Sequence, residues 1–177
     1  MRTLKLTAQG VALAAVAGLL ALLVWQLTHQ SHPPKLGGPA PNFTLDRLTG
    51  TGAIDLRSLR GKPVVLNFFA SWCGPCKQES KVLETAWQKY RGQGVVFLGV
   101  DYHDVTSDGR RFLAAHDITY PTVADGSGSV GDKYGLTGVP ETFFVDPQGR
   151  LVGYHIEGTV ANQQSKFFDG IRAALHS

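Results

Sequence analysis

Pro63-Val64-Val65-Leu66-Asn67-Phe68-Phe69 is a nearly continuous run of apolar, β-favouring residues, the composition of a central strand covered on both faces. Past Ala70 and Ser71 it runs into Trp72-Cys73-Gly74-Pro75-Cys76-Lys77 and then into a pattern that predicts a helix over Cys73–Tyr90. Val82, Leu83, Ala86, Trp87 and Tyr90 form an apolar stripe along that helix, so one of its faces must be buried. A buried strand feeding an amphipathic helix commits the chain to a layered α/β domain, with a Cys-x-x-Cys pair at the first turn of the helix.

The rest of the chain reads consistently with that frame. Short strands are expected at Phe43–Leu45 and Ala53–Leu56, followed by a helical turn from Asp55 that Gly61 closes. Further strands are expected at Gly94–Val100 and Tyr120–Val123, and helices at Ser107–His116 and Ser127–Tyr134. Glu141–Asp146 and Leu151–Glu157 flank the turn-rich Pro147-Gln148-Gly149-Arg150 and predict a β-hairpin, with a last helix over Ala161–Leu175. Helix-linked strands followed by a hairpin make a central mixed β-sheet flanked by helices.

The N-terminus has a different character. Between Lys5 and Lys35 there is no Asp, Glu, Lys or Arg, and Leu6–Leu27 is predominantly apolar, long enough for a bilayer core that takes ~20 helical residues. Arg2 and Lys5 precede it, and Trp25 stands where an interfacial aromatic belongs. Residues 1–28 are therefore expected to be a single transmembrane signal anchor in the cytoplasmic membrane, N-terminus in the cytoplasm and the remainder extracytoplasmic. A cleaved signal peptide shares the basic start and apolar stretch, but no convincing small-x-small site follows it. The absence of a cysteine after the run argues against lipoprotein processing. His29–Pro41 holds four prolines and two glycines and lacks apolar periodicity, so residues 29–36 read as a linker and residues 37–177 as the folded domain.

Charge narrows the function classes. The formal net charge is +3, yet three of the 17 basic residues lie within the first 35, leaving 14 basic against 14 acidic residues from Leu36 onward. No basic, aromatic-interleaved footprint exists, so no nucleic-acid partner is expected. Two cysteines in total cannot build a disulfide framework. A zinc site would need two further ligands at suitable spacing, and His103, His116 and His155 are isolated in sequence. An inert staple is disfavoured too, because a two-residue gap closes too small a loop to restrain the unfolded chain much. A redox role remains: at a helix N-terminus the free N–H groups and the dipole favour an anion, so Cys73 should be more thiolate-like than free cysteine. Cys76, one turn further in, is expected to be better shielded and to close the intramolecular disulfide.

Trp-Cys-Gly-Pro-Cys-Lys is also the active-site string of thioredoxins, which this chain resembles. Three further phrases, Gly38-Pro39-Ala40-Pro41-Asn42-Phe43-Thr44-Leu45, Leu59-Arg60-Gly61-Lys62-Pro63-Val64-Val65-Leu66-Asn67-Phe68 and Gly138-Val139-Pro140-Glu141-Thr142-Phe143, bring it closer to the TlpA, ResA and CcmG group of membrane-tethered thioredoxin-like proteins. The resemblance spans residues 37–177. It implies a thioredoxin-like fold, a thiol-disulfide oxidoreductase needing no metal or organic cofactor beyond its own Cys73–Cys76 pair, and a cis-proline at Pro140 facing that pair. Trp72, Gly74, Pro75, Val139 and Pro140 would border the substrate groove, the Val139 backbone offering a strand-like edge to an extended client segment. Where thioredoxin carries a buried aspartate, six residues before the first cysteine, this chain has Asn67, which cannot accept a proton. Glu79 matches a glutamate of ResA-like members and is expected to handle the proton of the cysteine pair, its pKa raised by burial. Glu141 matches the Pro-Glu-Thr of CcmG-type members and is expected to shape or charge the groove.

By the same resemblance the clients are protein disulfides, with an apocytochrome c haem-binding cysteine pair foremost, and the electrons come from a membrane thiol-disulfide donor. Rival readings are a general disulfide oxidase or isomerase of secreted proteins, a peroxidase, and a non-enzymatic copper handler in the manner of Sco proteins. The last uses a wider Cys-x-x-x-Cys spacing, and peroxiredoxins place a threonine where this chain has Ala70.

Overall fold

The computed structural model describes residues 14–25 and 33–177. Residues 14–25 form a helix, α1, whose leucines and Trp25 are exposed. The remainder of the expected membrane segment, and linker residues 29–32, lie outside the described residues. Among the described residues no helix is long and apolar enough to cross a membrane. The other compact unit is Pro33–Ser177. It begins ahead of the expected Gly37 because Pro33 already packs on Gly135, and the Gly37 N–H bonds to Leu151 O at 2.7 Å.

Strand β3 (Val64–Phe69) is the middle of a five-stranded mixed sheet of order β5-β4-β3-β6-β7. β4 (Val96–Tyr102) and β5 (Thr122–Asp125) continue parallel on one side, while on the other β6 (Glu141–Val145) pairs antiparallel with β3 and β7 (Leu151–Glu157) antiparallel with β6. The hairpin of β1 (Thr44–Asp46) and β2 (Ala53–Asp55) stands apart as a second small sheet. Every residue of β3 is buried, as its composition requires. Period-two alternation divides them: Leu66 and Phe68 enter a layer with Phe43, Ile54, Tyr134 and Phe143, and Val65 a layer with Leu83, Phe97, Phe144 and Phe167.

Helices close both layers. α2 (Gly74–Tyr90) and α5 (Gln164–Leu175) cover the face of Val65 through Leu83, Ala86, Phe167 and Ile171. α4 (Ser129–Tyr134) covers the opposite face through Val130 and Tyr134. α3 (Thr106–Ala115) brings Phe112 and Leu113 into a third cluster with Phe69, Cys73 and Cys76. Gly170 lets α5 lie directly on the Phe144 ring, where a Cβ would overlap it.

Boundaries differ from expectation in three informative places. β4 starts after Gly94, whose φ of 84° closes the turn following α2, and extends to Tyr102 because β5 pairs with it through Asp125. β5 correspondingly runs two residues later than expected. The last helix starts at Gln164 instead of Ala161, because Thr159 caps a separate 3-10 turn over Val160–Asn162. As the first residue of that turn, Val160 has an N–H with no acceptor inside the helix, available to a side chain.

Candidate active site

Cys73 is the N-cap of α2 and Pro75 stands in its first turn, where a missing N–H costs nothing. Cys73 and Cys76 form a disulfide with S–S 2.07 Å, and the Cys76 N–H points at Cys73 Sγ from 3.1 Å. The helix therefore presents its open amide end to the first sulfur, which favours a thiolate once the pair is reduced. In the disulfide form the two cysteines are almost equally covered, 3% and 2% exposed. The better shielding expected of Cys76 is thus marginal in this state, both cysteines lying in one cluster with Phe69 and Phe112 against which Val139 packs.

The peptide between Val139 and Pro140 is cis, in line with the resemblance. Val139 O lies 3.4 Å from Cys73 Sγ, and since the sulfur is disulfide-bonded this is a contact without a hydrogen. Val139 is half-buried, Pro140 is buried, and Gly74 and Pro75 are exposed beside the cysteines. The geometry thus brings Cys73, Cys76, Val139 and Pro140 together. Trp72 lies on the rim, 62% exposed, its indole N–H donating to His103 O at 3.3 Å.

Glu79 is buried at 1% exposure, one helical turn beyond Cys76. Its Oε2 accepts the Val160 N–H at 2.7 Å and its Oε1 accepts from Asn67 Nδ2 at 2.9 Å. Burial pushes its pKa up to about 7, the bonds from Val160 and Asn67 opposing that rise. Such a carboxyl exchanges a proton near neutral pH. Asn67 also donates to Thr142 Oγ1 at 3.0 Å, which ties β3, β6 and α2 at one polar point within the apolar layer.

Glu141 occupies the opposite face of the sheet. Its Oε1 accepts from Thr137 N, Thr137 Oγ1 and Gly138 N at 2.8, 3.0 and 3.1 Å, while Oε2 stands 2.6 Å from His155 Nε2. Burial raises its pKa, but the bonds from His155, Thr137 and Gly138 outweigh burial and hold the carboxyl below its ordinary range. With 1% exposure Glu141 does not charge the groove surface. From beneath, it grips the turn that carries Val139 and Pro140. His155 stands alone in the sequence but not in the fold: its ring stacks on Phe143 at 4.2 Å and its Nδ1 is 3.8 Å from Glu157.

Sequence reasoning passed over two more carboxyls. Asp104 Oδ2 accepts the Ser71 N–H at 2.6 Å and Oδ1 the Val105 N–H at 2.8 Å, so the β4–α3 loop holds the loop leading to Cys73. Asp101, 1% exposed, faces no donor at either carboxyl oxygen. Burial, then the neighbouring charges of Asp104 and Asp108, push it up to about 8. The aspartates carry no motif; only the alternation of β4 could have flagged Asp101 as inward-facing. Among the described residues no three His, Cys, Asp or Glu side chains converge as a metal-ligand cluster.

Residues 36–153 match the AhpC/TSA family. The thiol-disulfide oxidoreductase ResA of Halalkalibacterium halodurans is 32% identical over 138 residues, 78% of each chain. ResA of Bacillus subtilis is 34% identical over 116 residues, covering 66% of this chain and 64% of that one. Among solved structures, a putative thiol:disulfide interchange protein DsbE from Chlorobium tepidum superposes with a TM-score of 0.74 at 30% identity, covering 80% of this chain and 99% of that one.

Proposed function

Given that the chain belongs to the AhpC/TSA family and is a thioredoxin-like thiol-disulfide oxidoreductase, we propose that it works on the outer face of the cytoplasmic membrane as a reductant of client-protein disulfides in cytochrome c maturation. The observation that carries this reading is the placement of the Cys73–Cys76 pair between the open end of α2 and the Val139 carbonyl, with Glu79 one turn behind.

In the reduced protein the Cys73 thiolate attacks one sulfur of the client disulfide. That S–S bond breaks, a Cys73–client bond forms, and the departing client sulfur takes a proton. Glu79 removes the Cys76 proton, and the resulting thiolate attacks Cys73 Sγ, releasing the second client sulfur. Two electrons pass from the dithiol to the client, and the Cys73–Cys76 disulfide remains. A membrane thiol donor restores the dithiol, and the pair itself is the only redox group the cycle uses. Trp72 and Pro75 border the approach, and the Val139 backbone pairs with an extended client segment. The apolar Leu6–Leu27 segment supports an anchored, extracytoplasmic placement, and the likeness of Gly138–Phe143 to the CcmG phrase supports the haem-binding cysteine pair as client.

The full chain carrying Cys76→Ser cannot complete the second attack and stalls as a mixed disulfide on Cys73. Capture of a Cys-x-x-Cys-His protein on that sulfur is the expected result. Capture of a broad set of secreted proteins, with a reduction potential near that of strong oxidants, would replace the reductant with the general oxidase reading.

A further inference from the structure

The turn Thr137–Pro140 is held in place by one buried carboxylate. Glu141 collects two of its three amide hydrogens, from Thr137 and Gly138, and the Thr137 hydroxyl on Oε1. Its other oxygen has a single partner, His155 Nε2 at 2.6 Å. The next carbonyl along the turn, that of Val139, is the one lying against Cys73 Sγ.

His155 can reach that carboxylate because of the local strand geometry. The β6–β7 pairing slips between Thr142 and Phe144, opposite a Gly153 whose φ is 68°, and such a bulge re-aims neighbouring side chains. Glu141 pairs with Glu157 across the strands, so Glu141, Phe143, His155 and Glu157 all project to one face. The imidazole is pressed flat on Phe143, with an interplanar angle of 14°, and is flanked by Glu141 of β6 and Glu157 of its own strand. The bond to Glu141 and the stack on Phe143 together fix the ring's orientation. A buried carboxylate bonded on both oxygens cannot swing, and a group bonded on one oxygen alone can.

We propose that His155 is a positioning residue for the disulfide exchange: through Glu141 it sets the Thr137–Pro140 turn, and so the backbone edge at Val139 that receives the client chain beside Cys73. It touches neither sulfur nor client. The inference rests on Val139 being the client-pairing edge. It follows that His155 governs how well a polypeptide disulfide engages, while a disulfide too small to pair with the Val139 backbone does not sense it.

The test compares two substrates with the reduced full chain: a short disulfide-closed Cys-x-x-Cys peptide and 2,2′-dithiodipyridine. His155→Phe keeps the stack on Phe143 and removes the donor, whereas His155→Gln retains an N–H. We expect His155→Phe to raise KM for the peptide about tenfold, the loss of one hydrogen bond to a charged group, with kcat and the dithiodipyridine rate little changed. His155→Gln should restore most of the peptide KM. If His155→Phe does not fold, His155→Leu, which likewise removes the donor to Glu141, enters the same comparison. An equal loss on both substrates, or an unchanged peptide KM, overturns the positioning role. Native protein that reduces dithiodipyridine but not the peptide overturns the Val139 reading beneath it.

Discussion

Glu79 Oε1 accepts its hydrogen bond from Asn67 Nδ2 at 2.9 Å, across the interface between α2 and β3. The pair joins the helix that carries the cysteines to the centre of the sheet, and its carboxyl titrates near pH 7 because burial disfavours the charge.

A pH dependence of stability follows. The folded-state pKa of Glu79 is about 7 against 4.5 for the unsheltered carboxyl, so the folded protein holds this proton more tightly than the unfolded chain. The contribution is complete below pH 4.5 and is lost as pH rises through 7, an overall difference of about 3 kcal/mol. Urea unfolding of the oxidised protein at pH 5 and pH 8 should show this fall, and Glu79→Gln should remove that share of it. A variant whose pH slope equals the native one would refute the assignment.

Asp101 acts in the same direction over a higher range, its pKa lifted to about 8 by burial and the neighbouring Asp104 and Asp108. Its stabilising proton is held below the unfolded carboxylate pKa and lost as pH rises through 8. Asp101→Asn is isosteric and cannot ionise. We expect its urea midpoint to exceed that of the native protein a little at pH 5, already above the unfolded carboxylate pKa of 3.8, and by considerably more at pH 9; a lower midpoint at pH 9 would speak against a neutral Asp101.

Removal of the Asp104 carboxylate leaves the Ser71 N–H, bonded at 2.6 Å, without its acceptor. The expected cost of Asp104→Ala is about 1–3 kcal/mol in urea unfolding. Amide hydrogen exchange at Ser71 should accelerate relative to amides of β3, and peptide reduction should slow. Protection at Ser71 equal to that of the native protein would show that the loop is held by other means.

Ionisation of Cys73 can be read directly by alkylation. With the Cys76 N–H aimed at its sulfur from 3.1 Å at the start of a 17-residue helix, the iodoacetamide rate should reach half its maximum below the ~8.5 of free cysteine. A midpoint at or above that value would leave the exchange mechanism without its nucleophile.

Several parts of this molecule were legible in the residues themselves. Burial of Val64–Phe69, the amphipathic α2 and the Cys73-to-Cys76 spacing are local properties, and local periodicity reports which faces must leave water. The resemblance supplied cis-Pro140 and pointed to Glu79, whose burial the fold then accounts for through Asn67 and Val160. What the chain alone did not disclose is the wiring: Glu141 turned inward, His155 bonded to it from 14 residues away, and Asp104 bonded to Ser71 from 33 away. Contacts of that kind depend on strand register and on one bulge in β6–β7. A one-residue slip would carry His155 to the other face of the sheet, and no spacing along the chain encodes that choice. The amino-acid order determined the layers and the sulfur chemistry, and only tertiary packing decided which carboxyls face the turn, the thiols and each other.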